Sequence, residues 1–426
     1  MELFDVLLSM NPWWRKSEIY VPETKRDAFK EVKKLFDSAK TMISLQGLRR
    51  VGKSTLIFQL INEQIEKGTE AEEILYISLD DPRLISFGFP IIESYELWLK
   101  RFGRKKAYLF VDEAHFSKNF DLQLKRIYDN YRPKILFTGS ASLFLKKGIS
   151  ESLAGRVISV PMKPLSFKEF LRFKGLEVEG FDSLEVAVDD SYKLPVEIFN
   201  LFQEYLLIGG FPETITLDPE IAKRYLRETF IERVLLKDIP TIFGNVDTLK
   251  LLSTFAILAE SAGNKVNFTK ISNSLNLKVN TVMKYTDYIK SAGLMHFIQR
   301  MSKSVRTRRN IMPKVYLAHP SIAGAFSEVK LDKGILVENA IANHLKDDIY
   351  YWEGKKEVDF LANGMPIEVK YSNKPELALK NIKELSKYIE FKKAVVITRD
   401  TLKKETTDDK VIFFIPVAVF LLIKNS

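Results

Sequence analysis

The stretch that most constrains this chain is Gly47-Leu48-Arg49-Arg50-Val51-Gly52-Lys53-Ser54-Thr55. It has the form G-x-x-x-x-G-K-[ST], and its surroundings agree with that form. Thr41-Met42-Ile43-Ser44-Leu45-Gln46 before it reads as a short buried strand. Leu56-Ile57-Phe58-Gln59-Leu60-Ile61 after it reads as the apolar start of a helix. Gly47 and Gly52 let the backbone turn tightly and approach an anion with no side chain in the way. The loop amides and the helix N-terminus then turn their partial positive charge on that anion. In a strand, loop and helix of this kind Lys53 reaches the β- and γ-phosphates of a nucleotide and Ser54 ligates Mg²⁺. The whole loop, Gly47 to Thr55, is the expected contact for ATP.

Four more apolar runs follow: Ile74-Leu75-Tyr76-Ile77-Ser78-Leu79, Ala107-Tyr108-Leu109-Phe110-Val111, Lys134-Ile135-Leu136-Phe137-Thr138 and Val157-Ile158-Ser159-Val160. Helical patterns separate most of them. Continuous apolar strands alternating with helices imply a parallel sheet covered on both faces. Functional groups then gather at the C-terminal strand ends. Phe110-Val111 runs into Asp112-Glu113-Ala114-His115. Asp112 is placed to hold Mg²⁺, through water or with Ser54, and Glu113 to orient and polarise an attacking water. Thr138-Gly139-Ser140-Ala141-Ser142 ends the next strand. Ser140 there either hydrogen-bonds the γ-phosphate or the water, or caps a helix. Leu153-Ala154-Gly155-Arg156 brings an arginine just before the last strand. Arg156 either neutralises charge developing on the γ-phosphate or is a surface side chain. Upstream, Trp13-Trp14 reads first as a packing anchor and second as a neighbour of the adenine base.

Taken in order, Gly-Leu-Arg-Arg-Val-Gly-Lys-Ser-Thr, Leu79-Asp80-Asp81-Pro82, Phe110-Val111-Asp112-Glu113-Ala114-His115, Thr138-Gly139-Ser140-Ala141-Ser142 and Leu153-Ala154-Gly155-Arg156 resemble the AAA-type P-loop ATPases of archaea and bacteria. The likeness continues through Pro164-Leu165-Ser166-Phe167 and Leu207-Ile208-Gly209-Gly210-Phe211-Pro212-Glu213. It implies that Lys53, Ser54, Asp112 and Glu113 bind and hydrolyse ATP with Mg²⁺. The biological role is left open by the resemblance.

Composition narrows the other classes. The 426 residues contain no cysteine, so disulfides, thiol nucleophiles and thiolate metal sites are excluded, and only four histidines. The net charge of +10 suits an acidic partner, nucleic acid first, and equally a general lysine excess. Glu2 and Asp5 argue against a signal peptide. The longest apolar run, 411–423, contains Pro416 and is too short for a bilayer. The expectation is a soluble, cytoplasmic protein with no membrane partner. Its length suits two or three domains, divided as 1–198, 199–322 and 323–426.

Residues 200–237 are helical in pattern, broken at Gly209-Gly210-Phe211-Pro212, and residues 224–237 mix acid and base as a solvated face does. Residues 249–262 read as a helix. Asn267 caps a second and residues 281–292 form a third, which ends at Gly293. Residues 294–298 and 314–318 read as strands. Three helices and a two-stranded wing are the order of a winged helix-turn-helix. Its third helix and lead-in carry Lys278, Asn280, Thr281, Lys284, Tyr285 and Lys290, and its wing carries Arg300, Lys303, Arg306, Arg308 and Arg309. Such a cluster suits phosphate contacts on DNA, and the alternative is packing or contact with a protein partner.

The last informative stretch runs from Lys356 to Lys370, with a two-residue hairpin signal at Asn363-Gly364. If that turn forms, Ala362 faces Met365, Asp359 faces Glu368 and Glu357 faces Lys370. All four charged residues then share one face, while Val358, Phe360, Ile367 and Val369 fill the other. Two carboxylates about 5 Å apart repel each other unless a cation joins them. The pattern resembles the PD-(D/E)xK nuclease core. That resemblance assigns Asp359 and Glu368 as ligands of a second metal. It makes Lys370 the group that positions water or stabilises charge, and Glu338 the helix acid. A solvated hairpin face, or a nuclease fold that does not cut, has the same residues.

The reading is an α/β protein with three parts: a parallel-sheet P-loop core, a helical and winged-helix middle, and a small α/β nuclease-like C-terminal domain. It is a Mg²⁺-dependent ATPase whose ATP state controls DNA binding or processing. The alternative is an ATP-dependent switch for a protein partner or a second copy of the chain, with an inactive nuclease-like domain.

Overall fold

The computed structural model describes residues 2–17, 19–103, 107–139, 152–302, 312–326, 332–346, 348–407 and 409–424. The chain packs as two compact units, Met1–Lys163 and Pro164–Ser426.

In the first unit β1 (Met42–Gly47), β2 (Ile74–Ser78), β3 (Tyr108–Asp112), β4 (Lys134–Gly139) and β5 (Val157–Met162) are the five strands that the apolar runs predict. They form a parallel sheet in the order β2-β3-β4-β1-β5. Strands covered on both faces have no solvent side, so their residues run apolar instead of alternating. The edge strand β5 departs from this, and its Ile158 is exposed. The chain leaves the C-terminal end of β1 between its neighbours β4 and β5, which is where a parallel sheet receives ligands.

The other edge, β2, is covered from the N-terminal side. The Asn11 amide donates to Tyr76 O at 2.9 Å and accepts from Tyr76 N at 2.7 Å, so one side chain completes the ladder. The Trp13 and Trp14 indoles donate to Ile74 O at 3.2 and 2.9 Å. Ile74 opens β2, at the end remote from the C-terminal strand ends, and the tryptophans are anchors there.

The second unit is built on an eight-stranded mixed sheet, order β12-β13-β11-β10-β9-β8-β6-β7. Its strands are β6 (Met295–Arg300), β7 (Lys314–Leu317), β8 (Ile349–Glu353), β9 (Glu357–Ala362), β10 (Met365–Lys370), β11 (Lys393–Thr398), β12 (Lys403–Thr407) and β13 (Lys410–Pro416). Three helices precede β6: Thr248–Glu260, Phe268–Ser274 and Val279–Ser291. Asp247 and Asn267 cap the first two by accepting from Lys250 N and Lys270 N. β6 and β7 pair antiparallel, and β6 also pairs in parallel with β8. The two strands read as a wing are therefore the border of one continuous sheet.

Residues 164–198, taken with the ATPase on the sequence reading, pack inside the second unit. Ser166 and Glu169 form a capping box for the helix Phe167–Phe173. The Phe167 ring lies 5.6 Å from Phe202 and 5.3 Å from Tyr205. Leu165, Phe167, Phe170 and Leu171 are buried in the same core as Phe413, Ile415 and Phe420. The helix Glu197–Ile208 stops at the glycine pair as expected. The C-terminal apolar run forms β13 and the buried turn Val417–Phe420. No helix among the described residues is long and apolar enough to cross a membrane.

Candidate functional site

The phosphate loop begins where β1 ends. A Cβ on Gly47 would stand 2.2 Å from Met162 O on β5, so no side chain fits there. The loop turns through Arg50 at φ 65° and Gly52 at φ 93°, and the helix Lys53–Glu66 follows. Leu48 and Val51 are buried beneath it. The Arg26 guanidinium donates to Val51 O and, at 2.8 Å, to Lys163 O. Lys53 is 5% exposed, and its ammonium donates to Leu48 O at 2.9 Å and Gly47 O at 3.2 Å. It also lies 3.6 Å from Glu113 Oε1.

Asp112 and Glu113 stand at the end of β3 in two different electrostatic settings. Asp112 is buried. It accepts the Tyr76 hydroxyl at 3.1 Å, the Thr138 hydroxyl and the Ser54 hydroxyl. Burial first, and then the neighbouring Glu113 charge, push its pKa up, against the Ser54 and Thr138 hydroxyls and Lys53. Glu113 sits in the left-handed region at φ 52°, and its N–H donates to Thr138 Oγ1 at 2.8 Å. Burial raises its pKa, but Lys53, His115 and Arg49 outweigh that and hold it at about 2. His115 Nδ1 is 3.2 Å from Glu113 Oε2. One carboxylate is thus held ionised beside the loop lysine. The other is a buried oxygen donor next to a serine hydroxyl. Ser54 and Asp112 are hard oxygen ligands of the kind Mg²⁺ takes alongside phosphate and water, so the donor set fits that ion.

Residues 39–171 match the family described as an AAA domain. This part of the chain has the fold of a P-loop ATPase core. Residues 199–333 and 333–420 match two domains of unknown function, DUF8612 and DUF4143. The uncharacterized protein MJ1637 of Methanocaldococcus jannaschii is 28% identical, with 95% of this chain and 90% of that protein covered. A second from the same organism, MJ1544, is 28% identical over 75% of this chain and 71% of its own length. Among solved structures, the Walker-type ATPase PABY2304 of Pyrococcus abyssi is 16% identical. The alignment covers 71% of this chain and 95% of that one, with a TM-score of 0.42.

The P-loop ATPase domain brings the loop, Asp112 and Glu113 together, and it sets Arg156 apart. Met42 N, at the start of β1, donates to Arg156 O. β1 and β5 run in parallel from there to the Gly47 and Met162 pair. Arg156 therefore lies a strand's length, about 17 Å, from the phosphate loop of its own chain. Its guanidinium pairs with Asp129 at 3.2 Å. The sequence leaves Arg156 open between the two readings because a count of residues before a strand does not say which end of the sheet the side chain serves. Ser140 lies outside the described residues. Thr138 joins the Asp112 carboxylate to the Glu113 backbone N–H, and in the sequence it reads only as a strand residue. Its one signal was a hydroxyl at the C-terminal end of the strand beside β3.

In the second unit Asn363 at φ 49° and Gly364 at φ 80° make the expected turn. The register is Met365↔Ala362 through Ile367↔Phe360. Asp359 and Glu368 come next, and here side chains replace the ladder. Val369 N donates to Asp359 Oδ2 at 2.8 Å, and Asp359 N to Glu368 Oε2 at 3.3 Å. Glu357 takes ion-pair partners other than Lys370. It pairs with Lys314 at 2.7 Å and Lys265 at 2.8 Å, while Lys370 pairs with Glu368 at 2.8 Å. The strands part at Asp359 because the carboxylates take the backbone donors there.

The helix Val279–Ser291 and its lead-in expose Lys278, Asn280, Lys284 and Lys290, with Thr281 half-buried. Tyr285 does not belong to that face. It is buried, and its hydroxyl accepts from Asp247 N at 3.2 Å, because it stands at i+3 on the core stripe set by Val282 at i and Ile289 at i+7. Arg300 pairs with Glu353 within the sheet. Lys303, Arg306, Arg308 and Arg309 lie outside the described residues.

Proposed function

We propose that this protein binds and hydrolyses ATP with Mg²⁺, and that its ATP state governs contact between the second unit and nucleic acid. The observation that carries the ATPase reading is the arrangement of Lys53, Ser54, Asp112 and Glu113 around one loop, with Glu113 held as an anion. Mg²⁺ supplies charge neutralisation on the phosphates. Lys53 exchanges the carbonyls of Gly47 and Leu48 for phosphate oxygens. Ser54 and Asp112 hold the ion, and Thr138 keeps Asp112 and Glu113 at fixed separation. Glu113, ionised at neutral pH, accepts a hydrogen bond from the attacking water and aligns it.

The nucleic-acid half of the reading rests on the net charge of +10 and on the exposed Lys278, Lys284 and Lys290, within three helices followed by an antiparallel pair. That order is the one used by winged helices, whose lysines meet phosphates. In this reading residues 199–322 make the contact and residues 323–426 are a nuclease-like module. One observation favours a protein partner instead. Met283 and Leu249 are 46% and 72% exposed, and Met283 sits beside Lys284.

Steady-state ATP hydrolysis with and without duplex DNA, for the intact chain and for Lys53→Ala, separates these readings. A rate that rises with DNA and vanishes in Lys53→Ala is the expected result. A Lys53-dependent rate indifferent to DNA keeps the ATPase and favours the protein partner. Hydrolysis unchanged in Lys53→Ala would overturn the ATPase reading.

A further inference from the structure

The nuclease-like cluster already contains a cation, and that cation belongs to the chain. Lys314 opens β7 and its side chain is 5% exposed. Its ammonium lies 2.7 Å from Glu357 Oε1, 3.3 Å from Glu338 Oε1 and 3.6 Å from Asp359 Oδ1. Tyr316, on the same face of β7, donates its hydroxyl to that Glu338 oxygen at 2.7 Å. Three carboxylates from β9 and the helix Lys333–His344 thus converge on one lysine from a distant part of the sequence.

Several of the other oxygens are also engaged. Asp359 Oδ2 accepts from Val369 N at 2.8 Å. Glu368 Oε1 accepts from Asn381 Nδ2 at 2.7 Å and pairs with Lys370 at 2.8 Å, and its Oε2 accepts from Asp359 N at 3.3 Å. Glu357 Oε2 pairs with Lys265 at 2.8 Å. A divalent ion needs several oxygens with free lone pairs, about 2.0–2.6 Å from one point. The point where these carboxylates converge holds an ammonium, which repels a second cation strongly in a poorly screened interior. Among the described residues no group of three or more His, Cys, Asp or Glu is gathered to hold an ion. The cluster therefore does not fit the second metal that the PD-(D/E)xK resemblance implies.

We propose that Lys314 is a resident cation standing in place of that metal. The C-terminal region then takes up no divalent ion and does not cleave nucleic acid by metal-assisted hydrolysis. The lysine instead ties β7 to β9 and to the helix Lys333–His344. This inference is independent of the ATPase reading, because every residue in it lies in the second unit.

The test is a Mn²⁺ titration of the full-length, nucleotide-free protein beside Asp359→Asn, with free Mn²⁺ read by electron paramagnetic resonance. Equal uptake by the two proteins through the millimolar range is expected. Uptake by the wild type that Asp359→Asn removes overturns the proposal. Lys314→Met keeps the length of the side chain and removes its charge. It should gain Mn²⁺ uptake and a melting temperature that rises with Mn²⁺, and the added Asp359→Asn should cancel both gains. A folded Lys314→Met protein that takes up no Mn²⁺ overturns the proposal. If Lys314→Met does not fold, the wild-type and Asp359→Asn titration decides alone. Nicking of supercoiled plasmid by the wild type in Mg²⁺ or Mn²⁺, lost in Glu368→Gln, also overturns it.

Discussion

At the scale of single residues, the nucleotide site depends on groups that do not touch one another in sequence. Thr138 donates to Asp112 and accepts from the Glu113 amide. Thr138→Val leaves a buried amide and a buried carboxylate each short of a partner, at a cost of about 1–3 kcal/mol. The expected result is a lower melting temperature and a lower kcat with nucleotide affinity retained, both restored by Thr138→Ser. Glu113→Gln keeps shape and removes charge. It should bind ATP in equilibrium titration while single-turnover hydrolysis falls by about 10²-fold or more. Gly47→Ala drives a Cβ into the Met162 carbonyl, a backbone atom that cannot swing aside. The expected cost is about 1–3 kcal/mol, with nucleotide binding lost alongside. Lys53 and Asp112 were legible because motif spacing and a strand end fix them locally. Thr138 was not, because its partners lie on another strand.

At the scale of elements, the β9–β10 hairpin shows how far local signals reach. Asn363-Gly364 set the turn and the register through Phe360, and beyond that the carboxylates rearranged the pairing. The same carboxylates make the second unit sensitive to pH. Burial first, and then the Asp359 charge, raise Glu338 to about 7 and Glu368 to about 8, from ordinary values of 4.5. The folded chain then holds protons that the unfolded chain has already released. Stability from these groups is complete below about 4.5 and declines as pH rises through 7 to 8. Chemical denaturation of the second unit between pH 5 and pH 8 should show that decline, and Glu368→Gln should flatten it. An unchanged slope in Glu368→Gln would remove Glu368 from the account. In the helix Val279–Ser291, the charged face and the core stripe were both legible from period, but Tyr285 was misplaced because an aromatic with a hydroxyl serves either side.

At the scale of the whole molecule, packing divides the chain at Lys163 and Pro164. A chain ending at Lys163 keeps its parallel sheet intact. One ending at residue 198 carries Leu165, Phe167, Phe170 and Leu171 without the Phe202 and Tyr205 side of their core. Sedimentation and thermal melting should find the shorter chain monomeric and cooperative and the longer one self-associating. A well-behaved 1–198 chain would instead favour the sequence-based boundary. The charge of +10 makes a second prediction at this scale. Affinity for duplex DNA should fall tenfold or more between about 50 and 200 mM salt, and Lys284→Glu should reduce the slope.

Local sequence was enough for the phosphate loop, the five strands of the parallel sheet, the break at Gly209-Gly210 and the turn at Asn363-Gly364. Each depends on a few neighbouring residues: a glycine at a positive φ, a proline, or a run of apolar side chains with the period of one element. Long-range packing set where Arg156 stands, which unit takes residues 164–198, that β6 and β7 border the C-terminal sheet, and that Lys314 enters a carboxylate cluster on β9. These depend on which elements pack together across long separations in sequence. An isolated lysine or arginine carries no mark of the carboxylate it will meet, because that partner is chosen by the burial of apolar faces elsewhere.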